Sequence, residues 1–361
     1  MTEQSSVAQL NTFGQSPWYD NLTRTLAQGG LQALLQHDGI RGVTSNPTIF
    51  EKAMGSGTDY DAQLGALKDQ STEAAYWTMV VDDIRGACDI LTPVYEQSNS
   101  GDGYVSVEVS PVLARDTDGT VAQAKELWAR IGRPNVMIKI PATLEGLPAI
   151  TAALGVGINV NVTLIFSLDR HQAVLDAHAA GLEQHAASGG NISRVHSVAS
   201  FFVSRVDTET DPRLPEDHPL RGKVAVANAK LAYELFLTHC TTSRWQALEA
   251  QGAPVQRPLW ASTSTKNAAY SPTLYVDELI GRDTVNTLAQ ASVDALQSHE
   301  GLRANSIGED LDGAHAVMHS LADAGVDFSD VTATLERDGV ESFAASFRNV
   351  LATLEAKRAT L

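Results

Sequence analysis

Apolar and polar positions divide the chain into short runs of period two and longer runs of helical period. Runs at 40–43, 104–109, 136–140, 157–162, 194–198 and 258–262 read as strands, with weaker ones at 17–19 and 283–285. Between them lie helical patterns at 121–131, 168–185, 223–248 and 292–299. Strand–helix alternation repeated this often predicts a parallel sheet, because parallel neighbours need a crossover long enough to hold a helix. About eight such units suit a closed barrel. The expected fold is α/β: one (β/α)8 TIM barrel domain over residues 1–361. A helical insertion is expected at about 50–98, and a C-terminal helical extension at about 312–361, packed on the barrel's outside. The stretch 207–222, rich in Pro, Asp and Glu, reads as a surface loop, and 187–193 as a Gly/Ser turn.

Three strands carry an alternation that narrows the picture. Val105, Val107 and Val109 fall on one face, with Ser106 and Glu108 on the other. Val136, Ile138 and Ile140 likewise oppose Met137 and Lys139, and Ile158, Val160 and Val162 oppose Asn159, Asn161 and Thr163. A parallel strand covered on both sides reads as apolar throughout. In a barrel the polar face points into the lumen, and Glu108, Lys139 and Asn161 lie near the C-terminal strand ends, where barrel enzymes place their chemistry. Solvated strands of an antiparallel sheet would alternate in the same way, but the helical runs between these strands argue against that reading.

Composition removes several functions. The net charge is −17 and no basic block occurs, so nucleic acid and anionic membrane surfaces are excluded as partners. An anionic substrate would need a basic pocket inside this acidic envelope. Cys88 and Cys240 are the only cysteines, far apart, and read as free thiols rather than metal ligands. Residues 1–15 lack an apolar signal core, and no apolar run approaches membrane-spanning length, so a soluble cytoplasmic protein is expected. His315 and His319 are four apart but have no Glu between them and no cysteine nearby, while His171, His178 and His185 recur every seven residues along one helix face. No metal is expected. Gly155 and Gly157 make no dinucleotide or phosphate-loop fingerprint, and no cofactor is expected. Phe343, Phe347, Val350, Leu351 and Leu354 form a helical stripe that reads as packing.

Lys139, flanked by Ile138 and Ile140 and followed by Pro141, is the sharpest chemical candidate. Desolvation favours a neutral amine, able to add to a ketone and form an imine, whereas a nearby carboxylate favours the ammonium. A buried structural lysine paired with Glu108 has the same signature. Glu108 suits proton transfer during imine formation and hydrolysis, and Thr163 could position the water involved. After the second strand, Pro47 restricts Asn46 to extended geometry in a compact polar turn.

The runs Thr44-Ser45-Asn46-Pro47-Thr48, Val-Met-Ile-Lys-Ile-Pro-Ala-Thr-Leu-Glu-Gly at 136–146, and Asn161-Val162-Thr163-Leu164-Ile165-Phe166-Ser167 occur in that order. Together they resemble the signatures of the transaldolase family, and the likeness runs from about residue 18 to about residue 288. The resemblance implies that Lys139 forms a Schiff base, that Glu108 acts through a water held by Thr163, and that Asp20 handles the proton of the substrate C4 hydroxyl. It implies that Asn46 and Asn161 bind hydroxyls of a dihydroxyacetone unit, and that Ser200 and Phe202 line the pocket. It further implies that Arg205 and the segment with Ser264 and Lys266 bind the substrate phosphate. Two departures stand out. Lys266 occupies a place where the family commonly has Arg, exchanging a bidentate fork for a point charge, and Phe201 replaces a proline.

The activity implied is transfer of dihydroxyacetone from sedoheptulose 7-phosphate to glyceraldehyde 3-phosphate. Sugar phosphates would be the substrates, and the enzyme a monomer or homodimer. Three rivals remain: a fructose-6-phosphate aldolase-like lyase on the same fold, an isomerase or epimerase that needs no imine, and a non-catalytic sugar-phosphate-binding barrel.

Overall fold

The computed structural model describes residues 5–297 and 299–361. Its centre is a closed barrel of eight parallel strands in chain order: β1 (Gln15–Tyr19), β2 (Gly42–Thr44), β3 (Val105–Glu108), β4 (Val136–Pro141), β5 (Val160–Ile165), β6 (Ser197–Phe202), β7 (Arg257–Ala261) and β8 (Thr284–Leu288). The chain belongs to the (β/α)8 class predicted from its periodicity. β5 and β6 lie downstream of their sequence-based positions, with Asn159 and His196 just before them: the Asn159 side chain donates to the Pro134 and Val136 carbonyls and accepts the His196 N–H.

The two faces of β3, β4 and β5 behave as the alternation requires. Val105, Val107, Val136, Ile138, Ile140, Val160 and Val162 are buried under the surrounding helices. Each such side chain contributes roughly 1.5–3 kcal/mol of hydrophobic stabilisation before chain entropy is set against it. The opposite faces meet in the lumen, where Asn161 Nδ2 donates to Ser106 Oγ at 3.0 Å across the intervening strand.

Local chemistry ends the strands and starts the helices. Asn46 caps the helix Pro47–Gly55, accepting the Ile49 N–H at 3.0 Å, with Pro47 preset for the first turn. Ser167 caps Leu168–Ala187 by accepting the Arg170 N–H. Gly132, at φ 59°, closes Thr117–Ile131 in the left-handed conformation and turns the chain toward β4. Between β2 and β3 the insertion consists of Pro47–Gly55, Asp61–Ala66 and Thr72–Gln97.

Three elements depart from the sequence reading. The helix expected over 223–248 is two helices, Val224–Cys240 and Ser243–Glu249, because the Thr242 hydroxyl caps a new start on the Trp245 N–H. The stretch 207–222 is not simply a surface loop: it continues the helix Ser204–Thr210 into a short 3-10 turn, Asp211–Arg213, and buries Asp207 and Asp211. The C-terminal extension is only partly on the outside. Leu311–Asp323 packs on Val224–Cys240, but Phe328–Arg358 crosses the C-terminal mouth of the barrel against Pro47–Gly55, Ser204–Thr210 and β5. That approach is close: a Cβ on Gly339 would meet Leu164 at 3.0 Å and Arg205 at 3.4 Å. Among the described residues no helix is long and apolar enough to cross a membrane, and Cys88 and Cys240 are free thiols.

Candidate active site

Lys139 faces Glu108 across the β3–β4 ladder, where the two residues are register partners. Lys139 Nζ lies 3.4 Å from Glu108 Oε2 and 3.4 Å from the Ser45 carbonyl, and both side chains are buried. The Lys139–Glu108 pair is within ionic reach but not aligned as a hydrogen bond, so among the described residues Oε2 has no donor. Burial pushes the Glu108 carboxyl above the usual glutamate range, with the charges of Lys139 and Arg205 opposing that rise. A carboxyl shifted upward holds its proton more readily and so can give one as well as take one.

Above the pair opens a cavity of about 380 Å³. Its wall includes Asp20, Asn46, Lys139, Thr163, Ser200, Phe202, Arg205, Ser264 and Lys266, so nine of the side chains singled out in the sequence converge on one space. Glu108 and Asn161 stand just behind it. Glu108 borders a separate void of about 10 Å³ shared with Asn46, close to the space one water needs. Asn161 is fully buried, donating to Ser106 and accepting the Ser200 hydroxyl at 2.7 Å, which fixes Ser200 toward the cavity.

The remaining groups are held or left open in a chemically suggestive way. Asp20 accepts the Thr44 hydroxyl at 2.7 Å. Thr163 Oγ1 is buried and, among the described residues, has no partner. Directly after it, Leu164 sits at φ 59°, within a register shift between β5 and β6, and Ser262 after β7 sits at φ 58°. Left-handed non-glycine residues of this kind cluster where a site over-determines the backbone.

Cations gather at the cavity's rim despite the acidic chain. Arg205 lies 5.1 Å from the Phe202 ring and 5.8 Å from the Phe343 ring, and among the described residues it makes no hydrogen bond or ion pair. Lys266 donates to Ser264 at 2.7 Å. Partial desolvation at the rim, although Lys266 is exposed overall, and then the Arg205 charge hold Lys266 below the usual lysine range, and Lys52 adds to the same effect. Unneutralised positive charge of this density is what a phosphate monoester requires.

Lys52, Phe343 and Ser342 line the cavity but were not singled out from sequence. Lys52 was findable, since it lies on the helix capped by Asn46 and shares its cavity face with Thr48 and Ile49. Phe343 was legible only as one member of an apolar stripe.

A second cleft, of about 930 Å³, lies between Leu168–Ala187 and the C-terminal helices. No lysine is among the described residues lining it, and its Arg170 is paired with Glu336 at 3.2 Å. It has no nucleophile comparable to Lys139. The histidine repeat has a structural explanation: His171 and His178 are buried against Phe201 and Trp245, and burial holds both near pKa 3. Among the described residues no group of three or more His, Cys, Asp or Glu side chains is placed to hold a metal ion.

The sequence model of the Transaldolase/Fructose-6-phosphate aldolase family matches residues 17–354. The chain belongs to this family. Relatives bearing the name transaldolase cover almost the whole chain. A protein from Thermobifida fusca bearing the name transaldolase is 50% identical over 355 residues, 96% of each chain. Another of that name from Mycobacterium ulcerans is 48% identical, covering 99% of this chain and 98% of its own.

Proposed function

We propose that the chain is a transaldolase of the pentose phosphate pathway, a cytoplasmic enzyme that needs no cofactor. It moves dihydroxyacetone from sedoheptulose 7-phosphate to glyceraldehyde 3-phosphate, giving erythrose 4-phosphate and fructose 6-phosphate. The observation that carries this reading is the Lys139 amine, 3.4 Å from a buried carboxyl and facing a cavity rimmed by cations.

Lys139 Nζ adds to the ketose C2 carbonyl, and the carbinolamine loses water with a proton delivered from the Glu108 side, leaving a protonated imine. The partnerless Thr163 hydroxyl is the group to hold the water that relays this proton. Asp20, oriented by Thr44, takes the proton of the C4 hydroxyl. The C3–C4 bond then breaks, its electrons flow into the imine, and the aldose leaves. The enamine retained on Lys139 attacks the acceptor aldehyde while Asp20 returns its proton to the new C4 oxygen, and water returned through Glu108 hydrolyses the new imine and frees the Lys139 amine. Asn46 and Ser200, the latter fixed by Asn161, bind hydroxyls of the three-carbon unit, and Phe202 closes one side. Arg205, Ser264 and Lys266, joined by Lys52, bind the phosphate.

Borohydride reduction with fructose 6-phosphate tests the reading. Mass spectrometry should find a reduced three-carbon adduct on Lys139 alone, and Lys139→Ala should lose both adduct and turnover, by about 10⁴-fold or more. An unmodified Lys139 in an active enzyme would sink the imine mechanism. A coupled assay with and without glyceraldehyde 3-phosphate separates transfer from simple cleavage: transfer requires the acceptor.

A further inference from the structure

The loop that follows β7 carries Ser264 and Lys266 and, among the described residues, is tied down at its two ends, with the Thr263 hydroxyl donating to Asn286 Oδ1 at 2.8 Å at the first. At its start, the Ser204 N–H donates to the Ser262 carbonyl at 3.0 Å, and the two hydroxyls meet at 2.9 Å. From 264 to 269 the side-chain hydrogen bonds among described residues stay within the loop: Lys266 to Ser264, and the Ala269 N–H to Asn267. Lys266, Asn267, Ala268 and Ala269 are exposed. The second tie comes at Tyr270, whose hydroxyl donates to Asp211 Oδ2 at 2.6 Å.

Asp211 is an unusual anchor. It is only 6% exposed, and its other oxygen accepts the Gly222 N–H at 3.0 Å. Gly222 sits at φ 73°, and a Cβ there would come within 2.7 Å of the Tyr270 ring, so the glycine lets the ring approach the backbone closely. One turn upstream, buried Asp207 accepts the Tyr275 hydroxyl at 2.9 Å and the Ala225 N–H at 2.8 Å. Both acids continue from the helix Ser204–Thr210, the helix that carries Arg205. That helix and the β7 loop are therefore stitched together on the side away from the cavity. Arg205 and Lys266 are like charges that act on one another, so the stitching holds the loop against their mutual repulsion.

We propose that the Tyr270–Asp211 bond is a latch that holds Ser264 and Lys266 against Arg205, making Tyr270 and Asp211 positioning residues for the phosphate end of the substrate. This rests on the reading that Arg205, Ser264 and Lys266 bind that phosphate. The latch touches neither the reacting carbons nor Lys139.

The test is Tyr270→Phe in the full chain, with three readouts and the melting temperature as a control for folding. KM for fructose 6-phosphate should rise about tenfold with kcat within about twofold, as for loss of a hydrogen bond to a charged group. The inhibition constant of inorganic phosphate should rise in parallel. The dihydroxyacetone concentration that half-modifies Lys139 under borohydride should not move, because that ketone has no phosphate. Asp211→Asn, which keeps an acceptor, should fall between wild type and Tyr270→Phe. If dihydroxyacetone trapping weakens as much as phosphate binding, the bond is general scaffolding and the latch is refuted. If Tyr270→Phe changes nothing while Lys266→Ala raises KM, the latch is refuted and the phosphate reading stands. If Lys266→Ala and Arg205→Ala also leave KM and phosphate inhibition unchanged, the phosphate reading fails and takes the latch with it.

Discussion

At the N-terminal end of the barrel, Asp102 is engaged on both oxygens. It accepts the Ser16 hydroxyl on one and the Trp18 indole N–H at 2.9 Å on the other, with Arg257 at 3.5 Å. At the C-terminal end, Glu108 is equally buried but has a single ionic neighbour at 3.4 Å and an oxygen without a donor. Both ends place a carboxylate in a low-dielectric interior, where an unsatisfied charge is expensive. The lower one is used up by the protein and holds strands β1, β3 and β7 together. The upper one is left short of partners, beside an amine, a partnerless threonine and a cavity. Satisfaction of polar groups, more than their burial, distinguishes the structural end from the chemical end.

Removing the two carboxylates should therefore have opposite effects. Glu108→Gln keeps the shape and loses proton transfer, so turnover should drop by about 10²- to 10⁴-fold while the fold is preserved. Its pH profile gives a second readout. Because burial raises the Glu108 carboxyl, the wild-type enzyme should lose activity, as pH falls, above the ordinary glutamate range, and this acid limb should vanish in Glu108→Gln. An unchanged limb would assign the titration to another group. Asp102→Ala should do the reverse. It deprives the Ser16 hydroxyl and the Arg257 guanidinium of their carboxylate and leaves the Trp18 N–H with Ser16 alone, and denaturant unfolding should show a loss of about 3 kcal/mol. Its kcat below the melting transition should stay within about twofold of wild type, as for distant independent sites. A large rate loss in Asp102→Ala would erase the division between the two ends.

The barrel and its lumen were legible because period two is a geometric statement. Glu108, Lys139 and Thr163 alternate with β-branched residues, and no other arrangement of a parallel strand puts a charge opposite Val107 or Ile138. Asn46 was legible as an extended residue in a polar turn because Pro47 follows it, while its capping of the helix Pro47–Gly55 emerged only in the structure. The path of the C-terminal extension was not. An apolar stripe such as Phe343, Phe347 and Val350 says that one side of a helix is covered, but not by what, and the covering surface is assembled from distant helices and strand ends. Asp207 and Asp211 were misread for a related reason: acids amid Pro and Glu look solvated, and only the Tyr270 and Tyr275 hydroxyls, far along the chain, make their burial tolerable.

Phe343 gives the finest test of the contrast, because it belongs to the chemical end by location and to the structural end by residue type. It is 4% exposed on the helix that crosses the mouth, and its ring centre is 5.8 Å from Lys139 Nζ and 5.8 Å from the Arg205 guanidinium. An aromatic face at this distance steadies a desolvated cation by roughly 0.5–2 kcal/mol and excludes water from the amine. Phe343→Leu keeps most of the volume and removes the quadrupole, so stability should fall by less than about 1.5 kcal/mol. If the ring acts only as packing, kcat/KM should follow the wild type. If it orders the two cations, kcat/KM should drop about tenfold, within the range of the cation–π energy. We expect the tenfold drop, since Arg205 is flanked by Phe202 and Phe343 and makes no ion pair among the described residues that could hold it in their place.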